Sequence, residues 1–341
     1  MSTTQPKGTA MGITTILLTL AGWTSIPLFL KYFSTLIDPW TANGWRYAIS
    51  SAMWAPVLLW ACHRRTTPKG LWRAALVPAI FNAAAQVGFG VAPYYIDPGL
   101  MTFSLRFQIV FVAIAAALMF PAERAVIRRP MFITGLVMVL AGTFSTILLS
   151  PKGLGGGTGW GVALAVASGL GYAGYALAVR KQMHGMNPMV AFAAVSQYTS
   201  LALVALMLIL GKGHGGAVWE LSQANLWFLT LSSIIGIGLG HTFYFFSISR
   251  LGLAVSAGVV QLQPITVSIA SVFLFHEHLT TTQWITGVVA ICGAALMLLT
   301  QHFAAKKAHV APIDELDELP VDPDVAMVGS SNEPENGTQK N

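Results

Sequence analysis

Apolar residues run through this chain in long unbroken blocks, separated by short polar or basic connections. Ten blocks stand out, at 11–31, 41–62, 74–94, 98–120, 131–150, 158–180, 188–210, 224–248, 253–275 and 282–302. About 20 consecutive apolar residues is what a helix needs to cross a bilayer. The blocks are continuous and do not alternate, which argues against the roughly ten-residue in-out pattern of a membrane barrel. A spanning segment must satisfy its own backbone, so each block is predicted as a helix. The expected fold class is all-α, a polytopic membrane protein of ten transmembrane helices.

Composition strengthens this picture. Hydrophobic residues make up 55% of 341 and charged residues 9%, against about 25% charged in ordinary soluble domains. The net charge of +6 does not point to nucleic acid, because the basic residues cluster in connections between blocks. Arg64, Arg65, Lys69 and Arg73 follow span 2, and Arg124, Arg128 and Arg129 follow span 4. Arg180 and Lys181 follow span 6, and Arg250 follows span 8. The connections after odd-numbered spans hold at most one cation each, counting Lys31 at the edge of span 1. The positive-inside rule then places both termini in the cytoplasm, as an even number of spans requires. The first block ends in "PLFLKYF" and has no small-residue cleavage site, so it reads as a retained helix. Cys62 and Cys292 are isolated and imply neither disulfide nor metal.

The halves resemble one another. At an offset of 149, Gly22-Trp23 falls on Gly171-Tyr172, Lys31 on Arg180, and Asp38-Pro39 on Asn187-Pro188. At 155, Gln108 falls on Gln263 and Phe120 on Phe275, with Glu123 and Glu277 soon after. Five helices per half is an odd number, so the second half enters the membrane from the opposite side. The expected organisation is a cytoplasmic N-terminus at 1–10, five-helix repeats at 11–150 and 151–302 in an inverted 5+5 arrangement, and a disordered acidic tail at 303–341. Inverted repeats are a common plan of secondary transporters, with the solute site near the midplane between them.

Several segments resemble the EamA-type branch of the drug/metabolite transporter superfamily. They are "AGWTSIPLFLK" (21–31), "NGWRYAIS" (43–50), "LQPITVSIASVFLFHEHLTTTQWITG" (262–287) and "AICGAALML" (290–298). The first half departs from the pattern with Ile109 where the second half has Pro264. More narrowly, "GLMTFSLRFQIVF" (99–111) resembles the bacterial aromatic amino acid exporters of YddG type. The resemblance implies a ten-helix basket in a bacterial inner membrane that exports aromatic and other neutral amino acids, or related metabolites. It implies no cofactor.

Arg106 interrupts the apolar block from Pro98 to Phe120, which holds no other formal charge. An arginine at a helix centre costs about 2.5–3.5 kcal/mol on insertion scales and usually faces a bundle interior or wet cavity. No Asp or Glu lies deep in any block; Asp38, Asp97, Glu123, Glu220 and Glu277 are at ends or in connections. Arg106 or Arg46 is therefore a candidate for the carboxylate of a solute, which a guanidinium meets with paired donors, with Arg46, about one turn inside span 2, favoured for a structural role. The competing reading has each arginine bonding backbone carbonyls or reaching Asp38 or Asp97. Arg106 aligns with Gln261 and Gln108 with Gln263. On a regular helix, residues two apart point about 200° apart, so only one of Arg106 and Gln108 can face a given cavity. Pro264 frees a carbonyl and is expected to kink span 9.

Gln86 and His241 lie in corresponding spans and complete the polar candidates. Trp23 and Tyr172 are the repeat-matched aromatic pair, with Tyr244 nearby. Gly88, Gly90, Gly236, Gly238, Gly240 and Pro264 are candidate hinges, or else positions of static close packing. Trp45, Trp54, Trp60, Trp72, Trp219 and Trp227 are assigned to anchoring or packing. "HEH" (276–278) lacks zinc-ligand spacing, and "KGLGGGTGWG" (152–161) lacks the ending of a phosphate loop. No catalytic constellation or metal site is found. The expected partners are a small solute, an amino acid foremost, and the lipid bilayer, with no nucleic acid. Two rival readings are a sugar-phosphate or nucleotide-sugar carrier and an intramembrane lipid-modifying enzyme.

Overall fold

The computed structural model describes residues 7–119, 121–149, 158–183, 185–251, 253–277 and 279–309. The expected acidic tail from 310 onward and the glycine-rich connection at 152–157 lie outside these residues. All regular structure among the described residues is helical.

The first half runs α1 (Lys7–Phe33), α2 (Pro39–His63), α3 (Leu71–Val91), α4 (Pro98–Leu105), α5 (Phe107–Met119), α6 (Pro121–Ile127) and α7 (Pro130–Leu148). The second runs α8 (Thr158–Gln182), α9 (Pro188–Leu210), α10 (Gln223–Ser233), α11 (Gly240–Leu251), α12 (Leu253–Val260), α13 (Gln263–Phe275) and α14 (Thr281–His309). Span 4 is α4 plus α5, span 8 is α10 and α11 joined by a π-helical turn at Ile234–Leu239, and span 9 is α12 plus α13. Helix α6 falls in the basic connection after span 4. Helix α14 continues to His309, past the expected end at 302.

Among the described residues nine helices are long and apolar enough to cross a membrane. The tenth expected span, α2, has the length but not the apolarity. Asn43, Arg46 and Ser50 on it are all buried within the protein, so its polar positions are turned from lipid toward neighbouring helices. Leu118, Ile209 and Phe273 lie on the outside, each more than 70% exposed, as a lipid-facing surface requires.

Helix starts follow the sequence closely. Asp38 precedes Pro39 and accepts the Thr41 amide at 2.9 Å, and Asn187 precedes Pro188 and accepts the amides of Met189 and Val190 at 3.0 and 3.3 Å. Each is an N-cap followed by proline at the first helical position, where its missing N–H is harmless. Thr280 and Gln283 form a reciprocal capping box at the start of α14. Gln283 Nε2 then reaches across to the Thr146 carbonyl at 3.0 Å.

Helices pack in corresponding pairs. Helix α8 lies on α3, and α1 on α11 and the π-turn; α2 lies along α9, and α7 along α14. The last pair meets through small residues. A Cβ on Gly135 would sit 2.6 Å from the Gly293 carbonyl, and one on Gly142 would sit 2.5 Å from the Thr286 carbonyl. Without a hydrophobic drive between helices in lipid, such close backbone approach supplies the packing.

Candidate functional site

Span 4 is not a regular helix. It breaks at Arg106, whose amide bonds the Phe103 carbonyl at 3.0 Å in a tight three-residue turn. Span 9 breaks at Gln261–Leu262, with the Gln261 amide on the Gly258 carbonyl at 3.2 Å. The two turns are 155 residues apart, the repeat offset. Pro264 does not kink a continuous helix; it occupies the first turn of α13, just after the break. The regular-helix geometry expected around Arg106 and Gln261 therefore does not hold.

The break lets Gln261 and Gln263 converge on one partner. Arg106 Nη1 donates to Gln261 Oε1 at 2.9 Å and Nη2 to Gln263 Oε1 at 2.7 Å. Gln263 Nε2 donates in turn to the Trp23 carbonyl at 2.7 Å. Arg106 Nε is buried and has no partner. Gln108 is half-buried on α5, where a Cβ on Gly169 of α8 would lie 3.2 Å from its backbone nitrogen.

Arg46 is 1% exposed and donates Nε to Ser232 Oγ at 3.0 Å, while its Nη2 is buried and unpaired. Gly236 of the π-turn leaves it room: a Cβ there would stand 3.8 Å from Nη2. Tyr172 interacts electrostatically with Arg46 and lies beside the side chains of Ser168 and Gln86. The Gln86 carbonyl accepts Asn43 Nδ2 at 2.9 Å. Among the described residues neither guanidinium reaches an acid. Asp97 pairs with Lys31 at 3.2 Å and Asp38 caps α2, so the expected alternative of an arginine–aspartate pair does not occur. Among the described residues backbone carbonyls are not the partners either; both arginines are held by neutral side-chain oxygens.

An aromatic cluster forms around Trp23 and His241. The Trp23 ring packs against His241 at 5.3 Å and Tyr244 at 5.1 Å, and His241 stacks on Phe192 at 4.2 Å. His241 Nδ1 is also 3.1 Å from the Ile237 carbonyl, so the ring is held by two aromatic neighbours and at one nitrogen. Tyr172 meets Phe89 and not Trp23. The candidate hinges occupy close contacts. Gly88 sits on the Leu164 carbonyl, Gly90 on Asn43, Gly238 on Met53 and Gly240 on Trp23. Gly236 and Gly238 additionally lie in the π-turn, a feature frequent at functional sites. Of the tryptophans assigned to packing, Trp45 meets Trp219, Trp54 meets Phe192 and Trp72 meets Tyr198, while Trp60 and Trp227 lie on the outside.

Residues 159–299 match the EamA-like transporter family. That match supports the drug/metabolite transporter superfamily and a multi-pass membrane transporter of small solutes. A solved structure titled "Crystal structure of protein" is similar at a TM-score of 0.60 and 18% identity, over 87% of this chain and 98% of that one. At that identity the likeness shows the fold alone. No curated protein matches the chain.

Sequence reasoning missed Ser232, Phe192 and the Trp23 carbonyl as partners. Serine in a membrane helix usually bonds its own helix, as Ser232 also does to Leu229, and gave no signal. Among the described residues no three His, Cys, Asp or Glu side chains come together.

Proposed function

We propose that the chain is a secondary transporter that exports amino acids, aromatic and other neutral ones, through alternating access between two inverted five-helix repeats. Both termini are cytoplasmic in this reading, and the membrane is a bacterial inner membrane. The carrying observation is that, among the described residues, two intramembrane guanidinium groups have only neutral partners, and each keeps a buried donor unpaired. Interhelical hydrogen bonds in membranes average about 0.6 kcal/mol. Two of them offset only part of the roughly 2.5–3.5 kcal/mol an intramembrane arginine costs. A solute carboxylate would supply the missing acceptor. Arg46 is the preferred ligand, because Arg106 already spends two nitrogens on glutamines. The Trp23, His241 and Tyr244 rings would receive an apolar or aromatic side chain.

Purified protein in liposomes, offered labelled phenylalanine, threonine and a sugar phosphate, tests this. Flux of the amino acids without chemical change is expected, and Arg46→Ala should cut it at least about tenfold, the loss of a charge-assisted pair. Flux confined to the sugar phosphate would favour a phosphate carrier, and a converted product would favour an enzyme.

A further inference from the structure

We infer that the Glu277 carboxylate is a clasp that holds one face of the carrier shut, and that Glu123 makes the matching clasp when the opposite face is shut. This rests on the alternating-access reading above and adds the device that marks each state.

Glu277 lies in the connection between α13 and α14 and is 7% exposed. Its two oxygens accept the Gly99 amide at 3.0 Å and the Leu100 amide at 3.3 Å, in the first turn of α4. A carboxylate there satisfies donors that a helix start leaves open and meets the positive end of the dipole. The helix belongs to the first half and the carboxylate to the second. At its other end α4 stops at Arg106, which is bonded to Gln261 and Gln263. All eight residues of α4 are buried. The half-helix is thus fastened to the second half at both ends, with α13 packed along it.

The repeat offset maps α4 onto α12 and α5 onto α13. The counterpart of α4 packed on α13 is therefore α12 packed on α5. Among the described residues α5 and α12 do not pack in that way. The chain accordingly occupies one of two related arrangements, the one closed at the Glu277 end. Exchanging them would part α4 from α13 and bring α5 onto α12. Glu123 leads into span 5 as Glu277 leads into span 10, and the repeat assigns it the matching role. Gly99 is small where the clasp closes. A Cβ on it would lie 2.6 Å from Ser268 Oγ and 2.7 Å from Glu277 Oε1.

The test uses the full chain with Cys62 and Cys292, both free and exposed, replaced by serine. Spin labels at Tyr95 and Leu274 report the Glu277 end, and labels at Leu118 and Val255 report the opposite end; all four positions are exposed. Distances are read by pulsed electron resonance in nanodiscs without solute. Glu277→Ala should lower the closed-to-open ratio at the first pair about tenfold, as expected for losing hydrogen bonds to a charged group, and shorten the second distance. Gly99→Ala should act in the same direction with Glu277 in place. Glu123→Ala should act in the opposite direction. Folded Glu277→Ala and Gly99→Ala proteins with wild-type distances would overturn the clasp, as would a Glu123→Ala shift in the Glu277→Ala direction. Should Glu277→Ala fail to fold, the other two variants decide. Distances that move as expected in a protein carrying none of the offered solutes would uphold the clasp and count against the transport reading.

Discussion

Among the described residues the Arg46 side chain makes one hydrogen bond, from Nε to Ser232 Oγ, and that hydroxyl holds the guanidinium plane. Ser232 is fully buried and itself donates to the Leu229 carbonyl at 2.7 Å. Replacing it with alanine leaves a buried charged donor without a partner, which costs about 1–3 kcal/mol. Ser232→Ala should therefore lower the thermal midpoint in detergent, and binding of a carboxylate solute should weaken with it. A solute effect without loss of stability would mean that Ser232 touches the solute directly. The sequence offered half of this residue-scale picture. The lone charge in an apolar block marked Arg106, and the repeat offset set it against Gln261. It did not show that Gln263 would share the same guanidinium, because that depends on a broken helix.

At the scale of elements, helix ends were legible and helix interruptions were not. Asp38-Pro39 and Asn187-Pro188 are start signals that work locally, and both helices begin where they fall. The breaks at Arg106 and Gln261 carry one common sign, a long polar side chain in mid-block. Only the second has a proline nearby, so proline alone does not explain the pair. Spans 5 and 10 present the opposite case, in which glycine decides the packing. A side chain on Gly293 would sit 2.5 Å from the Gly135 carbonyl, and two backbones would have to separate to admit it. Gly293→Val is expected to destabilise by about 1–3 kcal/mol, the usual cost of overpacking. Gly258 of α12 has open space where a Cβ would stand, and Gly258→Ala should leave the melting curve within about 1 kcal/mol of wild type. Equal effects from the two would show that the close approach of α7 and α14 contributes nothing special.

Across the whole molecule, the Glu277 end is where long-range polar contacts gather. Lys31 reaches Asp97 and the carbonyls of Pro93 and Ile96, and Trp45 Nε1 donates to the Gly215 carbonyl at 3.0 Å. Asp38 accepts the Lys212 amide. Glu277 is the buried acid in this group. Burial raises its carboxyl above the ordinary value of 4.5, and nearby Asp97 adds to the rise, while the Gly99 and Leu100 amides pull it down without cancelling the effect. A raised acid binds its proton more tightly in the folded protein than in water. Its stabilising contribution is complete below the ordinary carboxylate range and is lost as pH climbs through the raised value. Glutamine at 277 stays neutral throughout and escapes that loss. The difference in melting temperature between Glu277→Gln and wild type should thus move in the variant's favour as pH rises above 4.5, with the two closest at the acidic end. A difference that stays flat with pH would mean that Glu277 is ionised equally easily in the folded and unfolded chain, and proton binding would then have no hold on the closed end.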